Sequence, residues 1–284
     1  MVSLLFAAAL AFSPQDARLA FATADGLVRT CTPRDAGTEG AHRAADFLAK
    51  ALRDVGAEPR LDRFQAKLPA GERTLINVAA EFPASSTNAP WTILLSHYDT
   101  KSGCACPGAN DGASTSGLLT ALAGLLAKER SLRDNVMLVW TDGEECVDAY
   151  GKGDGLWGSR RAAERIAARR LKVKAVVCLD MLGDRDLSIS LPANGTPVLV
   201  QAVAEAARRA GFPDLVRQIS FCVTDDHEPF LKCGFPAIDL IDFNYGPENA
   251  YWHTPLDTMD RISEKSLLKT GKIVVELLNV LPYR

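Results

Sequence analysis

Trp91-Thr92-Ile93-Leu94-Leu95-Ser96-His97 is an apolar run that stops on a side chain able to bind a metal. A short run of this kind is the pattern of a strand buried on both faces. Three other runs repeat it. Residues 135–141 lead into Asp142, Glu144 and Glu145; residues 174–179 lead into Asp180; residues 236–241 lead through a short loop to His253. In an open α/β sheet, ligands lie beyond the carboxyl ends of the strands, so these residues are expected to converge on one crevice. Asp111, in the loop after His97, is the natural fifth member. Two imidazoles and three carboxylates form a nitrogen and oxygen set that suits zinc, and carboxylates can bridge two ions. Any one Asp or Glu at a strand end is ordinarily a helix cap or a solvated charge. The set carries the argument: of the four histidines, His97, His227 and His253 fall in strand-end or loop segments, while His42 lies in a helical pattern.

Outward from this stretch, residues 39–55 place Ala41, Ala44, Ala45, Leu48, Ala51, Leu52 and Val55 at helical spacing, with Gly56 as the stop. Strand patterns at 58–65 and 74–82 flank Pro69-Ala70-Gly71, a hairpin turn that makes one sheet edge antiparallel. Alternation follows. Strand 91–96 precedes a helix at 114–128, strand 135–141 a helix at 159–169, strand 173–179 a helix at 197–209, and strand 236–241 a helix at 263–281. This predicts an α/β fold with a mostly parallel sheet covered on both faces.

With 284 residues, 47% of them hydrophobic, the chain can bury the core of one large domain. A net charge of −3 and the lack of any Lys/Arg run with interleaved aromatics argue against nucleic-acid binding. The apolar run 1–13 is too short to span a bilayer, so no stable membrane insertion is expected. It is similar to the hydrophobic region of a secretory signal, without the usual basic flank. Residues 1–20 are therefore set apart as a signal or apolar N-terminal segment, and 21–284 as a single domain. A signal would make the protein secreted or periplasmic; a helix packed on the domain would leave it cytoplasmic. Seven cysteines are an odd number, so at least one thiol is free or pairs between molecules. Cys178 reads as a small core residue. Cys104 and Cys106 would join a disulfide in an exported protein or stay inert.

Six blocks then occur in order: Ser96-His97-Tyr98-Asp99-Thr100-Lys101, Gly108-Ala109-Asn110-Asp111-Gly112-Ala113-Ser114, Asp142-Gly143-Glu144-Glu145, Leu179-Asp180-Met181-Leu182-Gly183, Asp225-Asp226-His227-Glu228-Pro229-Phe230 and Tyr251-Trp252-His253-Thr254. Together they resemble the M28 zinc peptidase superfamily, and within it the glutaminyl-peptide cyclotransferase branch, from about residue 38 to the C-terminus. The resemblance implies a three-layer α/β/α sandwich around a mixed, mostly parallel sheet. In the peptidases, positions matching His97, Asp111 and Asp180 hold one zinc and those matching Asp111, Glu145 and His253 the other. In the cyclotransferases one zinc at Asp111, Glu145 and His253 is typical, and one Zn2+ is the expectation here, with two as the alternative. The resemblance further assigns proton transfer to Glu144, the orientation of His97 to Asp99, a catalytic hydrogen-bond network to Asp180 and Asp225, and a wall of the substrate pocket to Trp252. It implies peptide or protein N-termini as substrates, and a monomer.

The physical chemistry of the residues is compatible with these roles. Adjacent Glu144 and Glu145 point in different directions, so one can bind metal while the other faces substrate. A nearby cation keeps ligand carboxylates ionised, whereas burial raises the pKa of Glu144 toward neutrality, as a proton shuttle requires. No HExxH helix, G-x-S-x-G elbow, Walker loop or G-x-G-x-x-G after a strand is present. Gly151-Lys152-Gly153-Asp154-Gly155 reads as a flexible pocket rim rather than a phosphate loop. Some features depart from the cyclotransferase pattern. Asn110-Asp111-Gly112 is closer to the peptidase form, Ser96 and Ser116 stand where some animal cyclotransferases carry a disulfide, and residues 243–250 contain extra residues at the pocket rim. The expected reaction is conversion of N-terminal Gln to pyroglutamate with release of ammonia. The alternative is a zinc aminopeptidase with Glu144 as general base. A non-catalytic domain would be expected to have lost Glu144 or a ligand, and neither is lost.

Overall fold

The computed structural model describes residues 10–281. In chain order the elements are α1 (Pro14–Cys31), α2 (Glu39–Asp54), β1 (Arg60–Leu68), β2 (Gly71–Phe82), β3 (Trp91–His97), α3 (Thr115–Lys128), β4 (Asn135–Thr141), α4 (Trp157–Ala168), β5 (Val173–Asp180), β6 (Ile189–Leu191), α5 (Pro197–Ala210), β7 (Val216–Gln218), α6 (His227–Lys232), β8 (Ala237–Ile241) and α7 (Glu264–Val280). Among the described residues, the strands form one sheet in the order β1-β2-β4-β3-β5-β8-β6-β7. Its centre, β4-β3-β5-β8, is parallel, and these are the four strands whose apolar runs lead to side chains able to bind a metal. The β1–β2 hairpin is antiparallel, as are the β2–β4 and β6–β8 pairings, so the sheet is mixed.

The two-residue period of a strand sorts its side chains between two cores. From β3, Leu94 faces a large core shared with α1, α2, α3, α5 and α7, whereas Ile93 and Leu95 face a smaller one with Ala163 and Ile166 of α4 and Phe230 of α6. The result is the expected three-layer α/β/α sandwich. Because both faces are covered, the strands read as continuous apolar runs.

Helix α1 lies across the boundary placed at residue 20. It begins with a capping box, in which Ser13 Oγ accepts from the Asp16 amide and Asp16 accepts from the Ser13 amide at 2.8 Å, followed by Pro14 in the first turn. Ala17, Ala20, Ala24 and Leu27 are buried in the large core. An added Cβ on Gly117 of α3 would lie 2.2 Å from the Ala20 carbonyl oxygen, so only glycine permits this approach. Residues 14–20 thus belong to the folded domain, while residues 1–9 of the run similar to a signal lie outside the described residues. No helix among the described residues is long and apolar enough to cross a membrane. Cys104 and Cys106 are joined as a disulfide, and Cys178 is buried in β5.

Candidate active site and metal centre

The parallel centre of the sheet brings its carboxyl ends to one side of the molecule. His97 and Asp180 are the last residues of β3 and β5, Glu144 and Glu145 follow β4, and the chain leaving β8 returns at His253. Asp111 arrives on the irregular turn 109–114. Asp257 holds that turn by accepting the amides of Asn110 at 2.7 Å and Asp111 at 3.1 Å, while Tyr245 Oη donates to Asp257 at 2.6 Å. Gly112 is required next to it: φ is +76°, and an added Cβ would fall 2.8 Å from His97 Cε1.

Asp111 is the middle of the cluster. His97 Nε2 lies 3.1 Å from Asp111 Oδ1 and 3.2 Å from Asp180 Oδ1. On the other side, His253 Nε2 lies 3.3 Å from Asp111 Oδ2 and 2.9 Å from Glu145 Oε1. Two groups of three, His97-Asp111-Asp180 and Asp111-Glu145-His253, therefore share Asp111, and within each group one ligand atom per residue lies within 4.8 Å of the others. Burial works against the Asp111 carboxylate, but hydrogen bonds from His253 and His97 outweigh it and hold its pKa well below the usual range. Burial likewise disfavours a charged His253, yet hydrogen bonds to Asp111 and Glu145 push its pKa up to about 10.

The donor set fits a zinc ion. One imidazole and two carboxylates converge, and the buried Glu145 Oε2 has no hydrogen-bond partner, leaving lone pairs for a cation. His253 holds a left-handed backbone, φ 55°, uncommon outside glycine and the kind of local cost that persists where the surroundings enforce it.

The two adjacent glutamates diverge. Glu145 turns to His253, and Glu144 turns to Tyr150, whose hydroxyl donates to both carboxylate oxygens at 3.0 and 3.2 Å. Burial, then the charge of Glu145, raises the Glu144 pKa well above the ordinary carboxylate value. Asp99 fixes the pair from behind by accepting the Glu144 and Glu145 amides, each at 3.1 Å. The expected orientation of His97 by Asp99 is not made by a direct hydrogen bond. The carboxylate stands 3.6 Å from Nδ1, just beyond hydrogen-bond distance, and Nδ1 has no other hydrogen-bond partner.

A cavity of about 170 Å³ opens onto this cluster. Asp111, Glu144, Glu145, His253, Asp180 and Asp225 line it, with Trp252, Phe243 and Tyr150 as its aromatic walls. Trp252 stacks on His253 with ring centroids 4.0 Å apart and packs against Phe243 at 5.1 Å. His97 does not line the cavity. Asp225 is pushed up to about 7 by burial and the charge of Asp180.

Some expected residues stand apart. Asp142 accepts the Ile76 amide at 3.0 Å and ties β4 to β2 instead of joining the cluster. His227 starts α6, buried, with neither ring nitrogen hydrogen-bonded. Others emerge only from the fold. Tyr150 reaches Glu144 because Asp154 accepts the amides of Val147, Asp148 and Ala149 at 2.7–3.0 Å and shapes the 151–155 rim into an ordered turn. Asp239, buried in β8, groups with Cys178 and Asp225; its signal was a lone carboxylate inside an apolar run.

Comparison with known proteins agrees with this geometry. Residues 77–278 match Peptidase family M28. A glutaminyl-peptide cyclotransferase-like protein from Bos taurus is 27% identical over 277 residues, covering 86% of this chain and 71% of the relative. The crystal structure of an Acidobacteriales bacterium glutaminyl cyclase superposes with a TM-score of 0.90 at 30% identity, covering 99% of this chain and 98% of that one. A Zn-dependent exopeptidase from Parabacteroides distasonis, 22% identical with a TM-score of 0.81 and covering 95% and 99%, shares the fold. The chain belongs to peptidase family M28 and, within it, is similar to the glutaminyl cyclases.

Proposed function

We propose that this enzyme is a zinc-dependent glutaminyl-peptide cyclotransferase that converts an N-terminal glutaminyl residue of a peptide or protein to pyroglutamate and releases ammonia. The observation that carries this reading is the joint placement of Glu144 and Trp252 on one small cavity beside Asp111, Glu145 and His253. Those three would hold one zinc, which supplies Lewis acidity toward the γ-carbonyl oxygen when bound. One ion is the reading taken here; Asp111 and Asp180 of the second group also line the cavity, and His97 alone of that group does not.

The chain's own groups do the rest. Trp252 and Phe243 enclose the glutaminyl side chain and hold it folded, so that the α-amine meets its own γ-carbonyl carbon. A bond forms between the α-nitrogen and that carbon, and the bond from the carbon to the amide nitrogen breaks. Glu144 takes the proton from the attacking amine and delivers it to the departing nitrogen, which leaves as ammonia. Tyr150 fixes the Glu144 carboxylate for both transfers. Asp180 and Asp225, buried beside one another, form the hydrogen-bonding floor of the site.

The second group, His97-Asp111-Asp180, favours one other reading, a two-zinc aminopeptidase that hydrolyses N-terminal residues. Ammonia release with pyroglutamate formation from a glutaminyl peptide supports the cyclotransferase; release of free leucine from a leucyl amide, without pyroglutamate, supports the peptidase. Residues 1–9 are similar to an export signal and would direct the protein to a secreted or periplasmic location, whereas Leu10 and Phe12 at the end of the same run pack on the large core.

A further inference from the structure

A second, larger groove of about 490 Å³ adjoins the active-site cavity, and Tyr150 and Thr224 line both. Its charged lining is Lys152 on the rim after Tyr150, Arg160 of α4 and Lys232 of α6, against a single carboxylate, Glu228. Glu228 is already paired with Lys232 at 2.8 Å. Arg160 is a fixed cation: it donates to the carbonyls of Gly151 at 2.6 Å and Lys152 at 3.0 Å and lies 5.5 Å from the Trp157 ring centre. Three positive charges therefore face one negative charge, on a chain whose net charge is −3. Leu156 gives the groove a buried apolar contact.

The active-site cavity, about 170 Å³, is well short of the roughly 300–1,000 Å³ that encloses a whole drug-sized ligand. It accommodates one residue, and the rest of a peptide must lie outside it. We propose that the groove beyond Tyr150 and Thr224 receives the second and third residues of the substrate and selects acidic side chains there. The preferred substrates are then peptides that begin with Gln followed by Asp or Glu. This inference rests on the cyclotransferase reading.

Exposed ion pairs are individually weak and are screened by salt, so the preference is about two- to thirtyfold for two acidic residues. The test uses the zinc-loaded full chain and three substrates, the amides of Gln-Glu-Glu, Gln-Ala-Ala and Gln-Lys-Lys, with kcat/KM read by ammonia release at low and high ionic strength. The expected order is Glu-Glu above Ala-Ala above Lys-Lys, with the spread narrowing at high salt. In the double variant Lys152→Glu/Lys232→Glu the order reverses. Conversion of all three peptides with equal kcat/KM, or an order that survives both salt and charge reversal, overturns the proposed groove while leaving the cyclotransferase in place. Conversion of none overturns the cyclotransferase reading and this inference with it. If the double variant fails to fold by circular dichroism, the salt dependence of the unaltered protein still decides.

Discussion

Tyr150→Phe removes one oxygen and keeps the ring, and it should slow turnover of a glutaminyl peptide by about 12- to 60-fold with little change in zinc content. The lost hydroxyl donates to both oxygens of Glu144, at 3.0 and 3.2 Å. Hydrogen bonds to a charged group contribute about 1.5–3 kcal/mol each. Tyr150 is 36% exposed, so water can replace part of that, and the lower end for the shared contact, about 1.5–2.5 kcal/mol, is the working figure. At about 1.4 kcal/mol per tenfold in rate, this gives the range above. The effect belongs in kcat, since the hydroxyl positions the shuttle, and KM should move less. The assay is steady-state ammonia release with metal content measured alongside. A double-mutant cycle makes the test specific: in a Glu144→Gln background, Tyr150→Phe should cost little more, because the group it positions no longer transfers a proton. Unchanged kcat in the single variant, or full additivity in the cycle, refutes the reasoning.

Three further outcomes are expected. Glu144→Gln should lower turnover by about two to four orders of magnitude with metal content near normal, whereas Glu145→Gln should weaken metal binding; exchanged phenotypes would reverse the roles of the pair. His253→Ala should lose the ion, by elemental analysis, with a circular dichroism spectrum close to that of the unaltered protein, and retention of the metal would contradict its role as a ligand. Burial lowers the pKa of His227 from 6.5 to about 4, with Glu228 opposing and Lys232 adding to the shift. Above pH 6.5 the imidazole is neutral in both states. Between 6.5 and about 4 only the unfolded chain binds the proton, so this residue costs stability as pH falls, about 2 kcal/mol by pH ~5. Urea unfolding of His227→Leu should show that difference from the unaltered protein at pH ~5 relative to pH ~8, and parallel pH profiles would contradict it.

Much of the fold was legible because β3, β4, β5 and β8 are buried on both faces, so that each appears as an apolar run with a polar residue at its end. Residues 135–141 have the same bounds in sequence and structure. Helix α1 was obscured by composition: an alanine-rich segment continuing an apolar N-terminus reads as part of an export signal, even though Ser13, Pro14 and Asp16 spell a helix start. The three-residue strands β6 and β7 are too short for any period to register. The side chains able to bind a metal were visible as residue types at strand ends. Tyr150 was not, because its position depends on Asp154 folding the rim, a local contact with no periodic signature. Asp142 and His227 lie within the same blocks yet point elsewhere, since a strand end fixes where the backbone goes and not which neighbouring side chain turns inward.

The central claim is tested most directly by incubating the zinc-loaded protein with a Gln-initiated peptide and following ammonia together with the mass of the product. The account predicts one ammonia per peptide, a product lighter by the mass of ammonia and blocked at its N-terminus, and no free amino acid. Release of free N-terminal residues, with the remaining peptide shortened and unblocked, would contradict it.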